Sequence, residues 1–134
     1  MNDYQQKKML NYVLPQTVYR QALYAVKDLT RLKRKLLYLE ESAYLLEGHE
    51  LKILSGGKGR QVDITAKKAV ELATARTRIK AIEEAFENVP EIYREALKDK
   101  LIFNVPYSDK HSVNTWKKWQ QILIYHVAVN LRLL

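Results

Sequence analysis

The sequence predicts an all-α fold, a long antiparallel helical hairpin followed by a C-terminal pair of helices arranged like a helix-turn-helix. Two observations carry this. Only four glycines and three prolines occur in 134 residues, too few for the many turns of an all-β chain. The apolar residues from Val18 to Leu46 also recur at alternating intervals of four and three, which keeps them on one stripe of a helix. A chain of this length is one domain's worth of sequence, so a single folding unit over residues 1–134 is expected.

The first helix is predicted over residues 16–47. Val18, Ala22, Ala25, Leu29, Leu32, Leu36, Leu39, Ala43 and Leu46 form an a/d seam of about four heptads. Pro15 suits a first helical turn, where its missing N–H would lack a partner anyway, and Gly48 stands where a left-handed stop is expected. Leu23, Val26, Leu37 and Leu45 widen the stripe, so the helix should pack on more than one neighbour. Arg31, Lys33, Arg34 and Lys35 form a basic cluster on its outside.

A glycine-rich connector is predicted over residues 51–62. Three glycines, Gly56, Gly57 and Gly59, permit a sharp reversal there, read as a short β-hairpin or a mobile tip. It is not a phosphate-binding P-loop, because Lys58 is followed by Gly59 instead of Ser or Thr. Asp63 is a suitable N-cap for a second helix with Leu72, Ala75, Ile79, Ile82, Phe86 and Val89 as its seam. Two seamed helices joined by a connection of about fifteen residues most simply face each other as an antiparallel hairpin.

Pro90 ends or kinks the second helix, and Glu91–Phe103 reads as a third. Residues 104–109 have turn chemistry, and a last helix opens near Ser112, a hydroxyl cap, and runs close to Leu133. Trp116, Trp119, Leu123, Val127 and Leu131 form its apolar line. From Ile122 onward the helix is apolar nearly all round, so burial in the domain or at an interface between copies of the chain is expected.

Composition narrows the function. Without cysteine there is no disulfide framework or thiolate metal site, and no apolar N-terminal stretch suggests a leader or a membrane span, so a cytoplasmic protein is expected. His49, His111 and His126 are far apart, and His49-Glu50 lacks the second histidine of a zinc protease helix. The adjacent pairs Glu40-Glu41 and Glu83-Glu84 point to different sides of a helix and cannot clamp one substrate. No serine sits in a nucleophile-elbow pattern. Neither an enzyme nor a cofactor is expected.

The net charge of +8 favours a polyanionic partner such as nucleic acid, although a solvated lysine-rich surface would give the same number. In a helix-turn-helix reading, Glu91–Phe103 supports and residues 112–133 enter the major groove of double-stranded DNA. Asn114, Lys117, Lys118 and Gln121 are then the groups facing bases or backbone, since Asn and Gln pair with adenine and Lys takes guanine or phosphate. Lys110, His111, Ser112 and Thr115 are phosphate positions near a helix N-terminus. A simpler role fits the same residues: Ser112 and Thr115 cap a helix and the lysines are solvated charges.

Three stretches resemble the small phage-encoded transcriptional regulators of the RinA and ArpU type, whose C-terminal part is similar to the DNA-binding region of sigma factors. The first is the glycine-containing segment 56–60 leading into Val62-Asp63-Ile64-Thr65-Ala66-Lys67-Lys68-Ala69. The second is Val89-Pro90-Glu91-Ile92-Tyr93-Arg94. The third is Ser112-Val113-Asn114-Thr115-Trp116-Lys117-Lys118-Trp119 followed by Ile124-Tyr125-His126-Val127-Ala128. Together they cover about two-thirds of the chain. The resemblance implies DNA binding near a promoter and activation of phage late genes with host RNA polymerase as partner. Two other functions fit the same helices: a phage small terminase subunit recognising packaging DNA, and a helical scaffold that binds protein only.

Overall fold

The computed structural model describes residues 5–50 and 58–134, with side-chain surroundings for 5–44 and 66–134. The described residues are all-helical, with no strand among them: α1 (Gln16–Lys27), α2 (Leu29–Glu50), α3 (Lys58–Phe86), α4 (Glu91–Phe103) and α5 (Val113–Asn130). A 3-10 turn, Leu10–Tyr12, precedes α1.

Two prolines set two of the helix starts. Pro15 and Pro90 stand directly before α1 and α4 with φ of −52° and −54°, the value their ring imposes, and their carbonyls accept from the Tyr19 and Tyr93 N–H groups at 2.9 Å. The third predicted helix coincides with α4. The first does not stay whole: it breaks at Asp28, whose backbone leaves helical geometry at φ −89°, ψ 1° while its N–H still reaches the Tyr24 carbonyl at 2.9 Å. Aspartate is a poor helix-interior residue and a favoured one just ahead of a helix start, which is where it stands relative to α2. Heptad spacing continues across the break and so cannot reveal it.

The stop expected at Gly48 does not form. Helix α2 runs through Gly48 to Glu50, and α3 already includes Gly59, so Asp63 lies inside α3 and is not its cap. A glycine in a helix costs only about 1 kcal/mol, which a long helix absorbs. Residues 51–57 of the expected connector lie outside the described residues. Helix α3 ends at Phe86, ahead of Pro90. There the N–H groups of Glu87, Asn88 and Val89 bond three residues back, to the carbonyls of Glu84, Ala85 and Phe86.

The chain forms two compact units, Met1–Thr30 with Lys80–Leu134, and Arg31–Ile79. The reason is that the first unit closes a core without residues 31–79. Helix α5 packs against α1, α4 and the 3-10 turn, and α1 also packs on α4. Tyr19, Ala22, Leu23 and Val26 of α1, Leu97 and Leu101 of α4, and Trp116, Leu123, Ile124, Val127 and Ala128 of α5 are all buried. Ile82, Ala85, Phe86 and Val89 complete this core. The apolar stretch from Ile122 to the last residue, Leu134, is therefore largely covered within the unit, and of its large apolar residues only Val129, in α5, and Leu134, beyond it, are exposed.

In the second unit Leu39 of α2 and Ala75 and Ile79 of α3 are buried, and the Arg76 guanidinium meets the Glu40 carboxylate at 3.3 Å. That ion pair is largely exposed and contributes little to stability. Leu37, Tyr38 and Tyr44 of α2 and Val70 of α3 are exposed, so Leu37 does not widen the buried stripe as its position suggested.

Leu123 is fully buried at the centre of α5. Leu123→Ala is expected to cost about 2–5 kcal/mol through lost burial and the cavity left behind, read as a lowered urea midpoint. A loss below about 1 kcal/mol would mean that α5 is not the centre of this core.

Candidate nucleic-acid interface

The start of α5 is fixed by its cap and by an aromatic corner. Ser112 is the N-cap: its Oγ accepts from the Thr115 N–H at 3.2 Å and shares a hydrogen with Thr115 Oγ1 at 2.9 Å. The preceding loop leaves α4 through Asn104 in the left-handed region, φ 59°, and the Val105 N–H folds back to the Asp99 carbonyl at 3.0 Å. Asparagine tolerates that conformation better than most residues with a Cβ.

Trp116 is 3 % exposed and anchors the loop. Its indole stacks on Tyr107 at 4.8 Å with planes 2° apart, its Nε1–H donates to the Ser108 carbonyl at 3.2 Å, and the rings of Tyr93 and His111 meet it edge-on at 5.5 and 5.3 Å. Burial, and secondarily the neighbouring Tyr19, push the Tyr107 phenol above the ordinary tyrosine range, so it stays protonated. It donates to Gln120 Oε1 at 2.7 Å.

Two adjacent glutamines extend this scaffold. Gln120 Nε2 donates in turn to the Tyr19 hydroxyl oxygen at 3.4 Å, linking the loop to α1. Gln121 is 1 % exposed: its Oε1 accepts from the Gln6 N–H at 2.7 Å, and its Nε2 donates to the carbonyls of Gln6 and Tyr12, each at 3.3 Å. The Gln5 side chain closes the same segment on itself, donating to the Leu14 carbonyl at 2.9 Å and accepting from the Leu14 N–H at 2.8 Å. Residues 5–14 are thus a wall built against α5.

Of the residues expected to face DNA, Lys110, Asn114, Lys117 and Lys118 are exposed on or just before the first turns of α5. Lys118 Nζ lies over the Trp119 ring at 4.9 Å. The other four have different work. Gln121 shares a helix face with Asn114 and Lys117, but that face is covered by the N-terminal segment one turn further on, so it cannot reach a duplex. Ser112 and Thr115 form the cap, with the Thr115 N–H and both hydroxyls already bonded. His111 is half-buried and packs its ring against Tyr93 at 4.9 Å as well as against Trp116.

The structure adds residues that the sequence pattern did not single out. A cleft of about 420 Å³ is lined by Gln5, Gln6, Lys7, Lys8, Asn114 and Lys117, bringing two N-terminal lysines beside the start of α5. Gln6 is only 8 % exposed, and its Nε2 is a buried side-chain polar atom without a hydrogen-bond partner, an arrangement that costs roughly 1–3 kcal/mol. A signal for this surface was present in the chain. Residues 4–27 carry Lys7, Lys8, Arg20 and Lys27, and residues 110–134 carry Lys110, Lys117, Lys118 and Arg132, with no Asp or Glu in either segment. Six of the nine acids of this unit gather in Glu83, Glu84, Glu87, Glu91, Glu95 and Asp99, and the other three, Asp3, Asp28 and Asp109, flank the two segments.

Among the described residues no group of His, Asp or Glu is placed to hold a metal ion, and no helix is long and apolar enough to cross a membrane. No protein-family model, curated protein or solved structure matches the chain. The resemblance to the RinA and ArpU regulators therefore rests on its three sequence stretches.

Gln121→Leu would strand the Gln6 N–H and the Gln6 and Tyr12 carbonyls and is expected to cost roughly 2–4 kcal/mol by chemical denaturation; an unchanged midpoint would mean that the N-terminal segment is not held by this amide. His126 gives a pH dependence. Its ring lies against Tyr125 and Tyr12, and burial holds its pKa below the ordinary 6.5. The unfolded chain then takes up the proton first as pH falls. The contribution of neutral His126 is fully present above about pH 6.5 and is lost on acidification through the lowered folded pKa. His126→Phe is expected to flatten the fall in stability just below that pH, and parallel profiles for parent and variant would refute it.

Proposed function

We propose that the protein binds double-stranded DNA through the first turns of α5 and acts as a transcriptional regulator. The observation that carries this reading is the group Lys110, Asn114, Lys117 and Lys118, exposed on a segment without acidic residues and held by the buried Trp116 and its ring partners. A helix fits the major groove, where Asn114 has the geometry to pair with adenine and the lysines to meet guanine or phosphate. Helix α4 packs on α5 and takes the supporting role, although the loop 104–112 is longer than the turn of about three or four residues in an ordinary helix-turn-helix. The RinA and ArpU resemblance supports the more specific role: activation of phage late genes with host RNA polymerase, in the bacterial cytoplasm. In this reading self-association rests on exposed Leu37, Tyr38 and Tyr44 of α2, since most of the apolar end of α5 is buried within its own unit.

The test is the double variant Lys117→Ala with Lys118→Ala, measured for binding to duplex DNA over a salt series. Affinity at low salt is expected to fall about ten-fold or more, and the log–log salt slope to become shallower by about 1–2, with only a small change in thermal midpoint because both side chains are exposed. Binding as tight as the parent's would remove α5 from the interface. An absence of duplex binding by the parent at low salt would remove the DNA reading altogether.

A further inference from the structure

We infer that the exposed face of α2 around Leu37 and Tyr38 is the interface of an antiparallel two-fold dimer, in which Arg34 of each copy pairs with Glu41 of the other. The inference rests on the self-association already placed on this helix and gives it a geometry. It holds whether or not the chain binds DNA.

Burial on α2 is one-sided. Among the described residues of the Arg31–Ile79 unit, Leu39, Ala75 and Ile79 are the buried apolar side chains. A two-helix unit with so small a core is the kind that association with further helices stabilises. Leu37, Tyr38 and Tyr44 are each more than half exposed. By helical spacing Leu37 and Tyr44 lie on the opposite side of α2 from Leu39, with Tyr38 at the edge of that side. Large apolar groups gathered on one exposed face mark an interaction surface. Arg34 and Glu41, both exposed, fall on the line that runs between Leu37 and Tyr38.

Charge identifies the occupant of this face as a second copy of the chain. Up to Lys35, α2 carries four basic residues and no acid; from Glu40 onward it carries four acids and no Lys or Arg. Arg34 and Glu41 stand about 10 Å apart along the axis, too far to pair within one helix. No residue of opposite charge stands three or four positions from either. A second α2 laid antiparallel, with the two-fold axis passing between Leu37 and Tyr38, sets each basic half against an acidic half. Arg34 then meets Glu41 twice, and Leu37 and Tyr38 each meet their own counterparts at the axis, as an isologous interface requires. A parallel pairing in register would set Arg34 against Arg34 and Glu41 against Glu41, which like-charge repulsion disfavours. The apolar groups supply the affinity and the charges choose the orientation. A different protein would have to carry the reversed charge pattern beside its own apolar groups, whereas a second copy carries it by necessity.

Sedimentation velocity of the full chain over a concentration series, without DNA, tests the interface. The parent is expected to pass from monomer to dimer as concentration rises. Arg34→Glu and Glu41→Arg, made singly, each put like charges into both pairs and are expected to raise the dimer Kd about ten-fold or more. Combined in one chain, the two changes restore opposite charges and are expected to return the Kd to within about three-fold of the parent's. A substitution that only harmed folding would not be rescued in this way. A parent that stays monomeric at every concentration would end the self-association and this geometry together. A dimer whose Kd none of the changes moves would keep the self-association and end the α2 interface. Single losses that the combination fails to recover would end the antiparallel pairing. DNA enters none of these measurements, so the DNA reading stands or falls separately, on the lysine variants of α5.

Discussion

Two side-chain amides at consecutive positions of α5 hold the first unit in register. Gln120 and Gln121 are about 100° apart around the helix, so one reaches the loop and α1 while the other reaches the N-terminal segment. Apolar packing alone would let α5 slide or rotate against α1 with modest loss, because Leu, Ile and Val side chains are forgiving of direction. Hydrogen bonds are not: a displaced glutamine leaves buried donors and acceptors unpaired on both partners. The core supplies most of the favourable free energy, and the amides select which packing is used.

This division explains what could be read in the sequence. Helix α4 was legible to its ends because Pro90 fixes its start and its apolar repeat is short and regular. The Ser112 cap and the buried character of Trp116, Leu123 and Val127 followed from local residue types and spacing. What escaped was non-local. Nothing near Gln121 distinguishes it from a surface glutamine, since its partners at Gln6 and Tyr12 lie more than a hundred residues away and offer backbone groups that every residue has. Asp28 escaped for the opposite reason, because the heptad period runs across it and the break is a change of backbone geometry within an unchanged pattern.

The candidate site was legible in the same uneven way. Lys110, Asn114, Lys117 and Lys118 could be placed by helical position alone, whereas Lys7 and Lys8 acquire meaning only when the N-terminal segment is laid against α5. The net charge conceals this arrangement. Lys7, Lys8 and Lys117 line one cleft, so basic residues from distant parts of the chain are brought together there. Charge sorted in this way steers a polyanion toward one face, which an evenly spread excess would not do.

The loop before α5 has a consequence for how such a chain can diverge. Surface loops are ordinarily where length changes accumulate. Here Asn104 completes the end of α4, Tyr107 is stacked and bonded, and the Ser108 carbonyl receives the Trp116 indole N–H. An inserted residue at any of these points would pull a buried ring or a bonded carbonyl out of place. Asp109 and Lys110, between the last of these ties and the ring of His111, are the stretch of the loop where the chain can lengthen without disturbing what lies beneath. Divergent copies would therefore vary there, next to the exposed end of α5, and keep the rest of the loop at constant length.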